Sequence, residues 1–281
     1  MRKIVKTILL TPDYEEAVRN LEGRFPAPSH VRKRLTVSTK ARTGDGIVRV
    51  VLACNVIPTA FHKLAYELWN TVSQLPDNRP AAVGSPSLRR IKSDGLLSGR
   101  TGVSKQTLEA LRKRGTAYGM LGYLDETPSE ACHRTPLTKA HPEMLEGNER
   151  LIKLVDELYR FYLPDVYERQ RVEIAKVPLW RLWDTVFSTI YLARNFRTAY
   201  HFDSGNLKGV MTALMPMGNF TGGELVLPRW CLSIAFKPGD ILFFDSPAIL
   251  HGNLPIDGPT LSAAYYCESD IAECGDLVRA N

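Results

Sequence analysis

The stretch VFSTIYLARNFRTAYHFD, residues 186–203, decides the reading of this chain. It begins as a β-strand, rich in branched and aromatic residues. It ends on His201-Phe202-Asp203. Two side chains at i and i+2 on a strand point to the same face. A histidine fifty residues later, His251, can complete a 2-His-1-carboxylate set. Such a triad holds Fe(II) on one face and leaves the other positions open. A lone HxD tripeptide arises by chance in many chains, so the surroundings matter.

Working outward, the C-terminal half reads as a run of short strands. After Val186 to Phe196 come Val210 to Met217, Glu224 to Trp230, Leu232 to Phe236, Ile241 to Asp245 and Leu261 to Cys267. Each is aliphatic, aromatic or β-branched and bounded by turn residues. Gly222-Gly223 and Pro238-Gly239-Asp240 mark turns, because glycine reaches positive φ without strain. Closely spaced strands with tight turns predict an antiparallel sandwich or a jelly-roll barrel.

The N-terminal half mixes signals. Thr11-Pro12 followed by acidic residues predicts a helix start. Phe61 to Leu75, Ser104 to Arg114 and Asn148 to Tyr162 have helical spacing. Residues 78–103 carry Pro, Gly, Ser and basic residues and predict a long loop. No internal repeat is found. The expected organisation is an N-terminal extension over 1–117, with a basic segment at 89–114, and a barrel core over 118–281.

With 281 residues and 44% hydrophobic content, the chain can bury a substantial core. No run of about eighteen apolar residues occurs, which argues against a membrane-spanning helix. The opening MRKIVKTILLTPDYEE is too short in its apolar part for a secretory signal. The five scattered cysteines contain no CxxC pair and are read as reduced thiols. The expectation is a cytoplasmic protein, or a nuclear one in a eukaryote, and not a secreted one. The net charge of +6 is carried by residues 89–114, with eight basic residues against Asp94 and Glu109. Such a patch suits a polyanion, although a solvated face would look the same.

The motifs then carry a resemblance. Residues 187–207, GNFTGGELVLPRW (218–230), PGDILFFDS (238–246) and HGNLPI (251–256) resemble the TET/JBP family of Fe(II)/2-oxoglutarate DNA-base oxygenases, in its thymine-hydroxylase-like branch. Upstream, 122–143 and 163–171 are similar to that family's lead-in. The resemblance implies an α+β fold: a double-stranded β-helix (jelly-roll) core with N-terminal helices packed around it. It implies Fe(II) held by His201, Asp203 and His251, with 2-oxoglutarate as co-substrate. It implies a dioxygenase that hydroxylates the 5-methyl group of thymine or 5-methylcytosine, in DNA with the base flipped out.

One departure stands out. The family places Arg-x-Ser about nine residues past the second histidine, for the co-substrate's distal carboxylate. Here that segment is Thr260-Leu261-Ser262. A buried carboxylate without a cation is costly. Strand parity nominates Arg197, four residues before His201, with Ser262 and Thr260 beside it. The alternative for Arg197 is a structural ion pair at the barrel rim. Asn206, Asn253 and Tyr266 are candidates for contact with a base; Arg112, Lys113 and Arg114 are candidates for phosphates. Two other functions stay open: oxygenation of a free nucleotide, small molecule or protein, and non-catalytic binding of modified DNA. Oligomeric state is not readable.

Overall fold

The computed structural model describes residues 4, 6–11, 18–76, 79, 81–84, 90–91, 97–98, 103–124 and 132–274. The helix expected from Thr11-Pro12 and the charges of Arg89, Arg90, Lys92 and Arg100 lie outside what is described.

Two facing sheets make the core. The larger has nine strands, in the order Lys6–Leu10, Thr39–Thr43, Val48–Ala53, Ile241–Phe244, Thr212–Gly218, Thr260–Tyr266, Thr189–Arg194, Ala117–Leu124 and His133–Arg134. The smaller has four: Gly252–Asn253, Leu225–Leu227, Leu232–Ile234 and Lys33–Leu35. This is the jelly-roll expected from the turn-punctuated strands, each within a few residues of its predicted bounds.

The large sheet is buried on both faces, which its sequence reflects. Alternation sends Leu52, Leu242 and Phe244 toward the small sheet, where they join Leu225, Leu227, Leu232 and Ile234. The opposite parity sends Val51, Phe243, Ala213, Met215 and Tyr265 into a second core. Two helices complete that core. Thr59–Trp69 buries Trp69, and Glu149–Tyr162 buries Leu151, Ile152, Val155, Leu158, Tyr159 and Tyr162 along one stripe. Tyr159 stacks on Phe243, with centroids 5.3 Å apart.

The N-terminal residues do more than pack around a finished barrel. Val48–Ala53 pairs antiparallel with Ile241–Phe244, and Lys33–Leu35 pairs parallel with Leu232–Ile234. Both sheets therefore contain strands from the segment expected to be an extension. The strand Ala117–Leu124 also runs across the expected boundary at 117/118 and pairs with Thr189–Arg194.

One expectation is corrected outright. Cys132 and Cys274 form a disulfide, with Cα atoms 5.8 Å apart. Their separation of 142 residues leaves no spacing signal in the sequence. The fold brings them together beside the helical core. Cys54, Cys231 and Cys267 are free.

Candidate metal centre

The strand Thr189–Arg194 stops before the HxD. Asn195 takes the left-handed conformation at φ 46°, and the chain leaves the sheet. His201 is instead fixed by an isolated antiparallel bridge to His251. The His201 N–H donates to the His251 carbonyl at 2.9 Å, and the His251 N–H donates back at 3.1 Å. The two ligand histidines are thus held by each other's backbone, with ring centroids 4.4 Å apart. Asp203 is held in turn: its N–H donates to the Ser246 carbonyl at 3.2 Å.

The three side chains converge. Asp203 places one carboxylate oxygen 3.5 Å from His201 Nε2 and the other 3.6 Å from His251 Nε2. Two metal bonds of about 2.1 Å can span donors up to about 4.2 Å apart, so these separations fit a shared ion. Each histidine donates Nδ1–H to a carbonyl two residues upstream, Ala199 and Ile249, both at 2.8 Å. That bond selects the tautomer whose Nε2 lone pair faces the centre. Burial, then the neighbouring His201, pushes the His251 pKa down to about 4, so its ring is neutral and ready to ligate. Burial would raise the Asp203 carboxyl, but its contacts with the His201 and His251 rings, together with the charge of Arg79, outweigh it. Asp203 is held well below the usual carboxylate range. Two imidazoles and one carboxylate with open positions suit Fe(II).

A cavity of about 900 Å³, its open mouth included, surrounds the triad. Leu214, Phe220, Leu225, Phe236, Phe244 and Ile256 give it apolar walls. Phe244 meets the His251 ring edge-on at 4.9 Å. Two polar groups in it had no sequence motif. Arg79 lies 4.2 Å over the Tyr191 ring, with one nitrogen 3.8 Å from Asp203. The Tyr191 hydroxyl is buried and has no hydrogen-bond partner among the described residues.

The expected site residues divide. Thr260, Ser262 and Asn253 line the cavity. The Asn253 amide is already engaged: it donates to the Gly223 carbonyl and accepts from Thr198. Arg197 does not point into the cavity. Its guanidinium donates to the Asn253 and Pro26 carbonyls at 3.2 and 2.9 Å and stacks on Phe25. Parity misplaced it because the strand ends at Arg194. Asn206 is also absent from the lining. It is buried, donating to Thr212 and Ser246, and so braces the loop that carries Asp203. Tyr266 is buried with its hydroxyl donated to Glu268, so no ring face is left for a base. Arg112, Lys113 and Arg114 are exposed at the C-terminal end of the helix Lys105–Lys113. Arg114 and Arg197 share a separate groove alongside the cavity.

The fold and the site define a jelly-roll oxygenase with a 2-His-1-carboxylate centre. Residues 119–268 match the Tet_JBP family, the oxygenase domain of the 2OGFeDO superfamily, and the chain belongs to that family. Membership implies Fe(II) and 2-oxoglutarate, and the His-Asp-His set is in place. Among curated proteins, the bifunctional helicase and thymine dioxygenase JBP2 of Trypanosoma brucei brucei is 34% identical over 172 residues, 60% of this chain and 14% of that protein. The thymine dioxygenase JBP1 of the same organism is 29% identical over 153 residues, 52% of this chain and 18% of that protein. The chain thus corresponds to a small part of the length of these relatives. A solved structure, NgTET1 in complex with 5mC DNA, superposes with a TM-score of 0.54 at 15% identity, over 86% of this chain and 80% of that one. That likeness is one of fold.

Proposed function

We propose that this chain is an Fe(II)/2-oxoglutarate-dependent dioxygenase that hydroxylates the 5-methyl group of a pyrimidine, thymine or 5-methylcytosine, in DNA. The carrying observation is the convergence of His201, Asp203 and His251 at the floor of a largely apolar cavity. The curated relatives named as thymine dioxygenases support thymine as a substrate.

When bound, Fe(II) would activate O₂, the oxidant, and 2-oxoglutarate would supply two electrons by decarboxylating, with one oxygen atom going to the methyl group and the other to succinate as CO₂ leaves. The chain's own residues position and shield. The Nδ1–H bonds to Ala199 and Ile249 keep both ligand rings aimed. Asn206 and Ser246 hold the Asp203 loop. The apolar walls exclude water from the reacting methyl group. A base inside a duplex cannot reach this floor, so the nucleotide is extruded or the substrate is single-stranded. Arg112, Lys113 and Arg114 provide cations for the backbone.

The test is mass spectrometry of nucleosides after incubating the protein with Fe(II), 2-oxoglutarate and DNA containing thymine alone or thymine with 5-methylcytosine. The expected product is a 5-hydroxymethylpyrimidine, with stoichiometric succinate. Succinate formed without any modified nucleoside, and increased instead by free nucleotides or a peptide, would remove DNA from the reading.

A further inference from the structure

We propose that Arg79, together with the Tyr191 hydroxyl and Ser262, takes the carboxylate of the 2-oxo acid co-substrate that does not chelate the metal. This rests on the co-substrate assigned under the proposed function. The strand Thr260–Tyr266 presents Thr260 to the cavity, at the position where the family pattern has an arginine. Threonine carries no charge to offset a buried carboxylate. Among the described residues that line the cavity, Arg79 is the one arginine or lysine.

Its surroundings leave it available. Arg79 is held from below by the Tyr191 ring, at 4.2 Å. Its only close carboxylate among the described residues is Asp203, at 3.8 Å, beyond good hydrogen-bond length. A planar guanidinium can therefore present its fork to a second acid. Two hydroxyl donors line the same cavity. Ala264 is the cross-strand partner of Tyr191, and Ser262 is two residues from Ala264. Tyr191 and Ser262 are thus diagonal neighbours on the inward face, within reach of a common small ligand. The Tyr191 hydroxyl is buried without a partner among the described residues, and a buried donor of that kind needs one. The Ser262 hydroxyl has only a long 3.5 Å contact to the Ala193 carbonyl. Three donors with unmet capacity face one cavity beside the metal ligands. Arg197, the other candidate, lines the neighbouring groove instead of the cavity, where two of its donors hold the Asn253 and Pro26 carbonyls.

The test is calorimetry on anaerobic protein loaded with Mn(II), a non-turning-over stand-in. It compares 2-oxoglutarate with pyruvate, a 2-oxo acid with a single carboxylate. Arg79→Ala is expected to weaken 2-oxoglutarate by about 30-fold or more, while pyruvate stays within about threefold. Arg197→Ala is expected to keep 2-oxoglutarate within about threefold. Arg79→Lys keeps charge and bulk but loses the fork, so a loss of about fivefold is expected, and it carries the test if Arg79→Ala does not fold. Unchanged 2-oxoglutarate affinity in both Arg79 variants overturns the proposal, as does an equal loss for both acids. Wild-type protein that binds Mn(II) but neither acid overturns the co-substrate reading itself, and would be seen before any variant is made.

Discussion

The metal cavity and the groove beside it share a wall, formed by Ile256 and Thr260, yet they treat their arginines in opposite ways. Arg79, in the cavity, faces the Asp203 carboxylate and lies on a tyrosine ring. Arg197, in the groove, is tied to two neutral carbonyls and a phenylalanine ring. Burial and the nearby Arg114 both disfavour its charge. A guanidinium whose Nε and one Nη are fixed on backbone carbonyls outside the cavity is a structural brace, since it ties chain segments together and does not face the metal site. One that faces a single carboxylate at long range keeps donors for a ligand. What separates a binding arginine from a bracing one here is the partner it has already found, not its distance from the HxD.

The largest expected effect comes from breaking the cavity side. Asp203→Ala removes one ligand and the counter-charge of Arg79 together. Metal affinity should fall by about a hundredfold or more, since even outer-shell changes cost about 10- to 100-fold. Turnover should become undetectable by nucleoside mass spectrometry. The groove should be untouched, with circular dichroism as for wild type. A variant that still turned over would show that the chemistry lies elsewhere.

The next effect separates both regions from the far side of the sheet. Cys132 and Cys274 belong to the helical core, opposite the cavity. Their bond closes a long loop, and such a cross-link typically stabilises by about 2–5 kcal/mol. Cys132→Ser with Cys274→Ser should lower stability by that order, read as a drop of several degrees or more in the thermal midpoint, as should a reductant acting on wild type. Co-substrate and DNA affinities, measured well below the midpoint, should stay constant. A change in either affinity would mean that the helical face communicates with the cavity.

These two regions also differ in what the sequence could reveal. The triad was legible because two ligands two residues apart, and a third after four predicted strands, match a known ligand set. The C-terminal strands were legible because glycine and proline turns punctuate them. Val48–Ala53 was not, because burial on both faces erases the alternation that marks a strand. Lys33–Leu35 is too short to carry a period. Arg79 sits in a segment without periodicity, and only the folded chain brings it to Asp203. Parity failed for Arg197 because it assumes an unbroken strand, and Asn195 breaks it. Tyr266 failed because the burial that places a ring against the core also spends its hydroxyl on Glu268. The Cys132–Cys274 pair had no local pattern at all.

A smaller effect tests the bracing role of Arg197. Arg197→Ala removes two hydrogen bonds from a charged donor, leaves the Asn253 and Pro26 carbonyls without that partner, and unstacks Phe25. Losses of this kind typically cost about 1–3 kcal/mol. Urea unfolding should show that destabilisation with an unchanged slope against denaturant. If stability were unchanged while co-substrate binding collapsed, the contrast between the two arginines would be reversed.

The smallest effect concerns the outer edge of the groove. Arg114 lines it, while Arg112 and Lys113 are exposed on the same helix end. At that end they complement the helix dipole, so part of their charge has a structural use. Any of the three that also pairs with a DNA phosphate releases counterions on binding. The logarithm of affinity then falls with the logarithm of salt by about 0.9 for each duplex phosphate neutralised. Replacing all three with glutamine should weaken binding of unrelated sequences by similar factors. It should also flatten that slope by about one unit for each phosphate no longer neutralised. Helix content should change little, because glutamine is nearly as good a helix former as arginine or lysine. Arg114→Gln alone should account for about one unit if the backbone runs through the groove toward the cavity mouth. An unchanged slope in the triple variant would assign these charges to the helix end alone, and would leave the groove as a braced wall of the cavity.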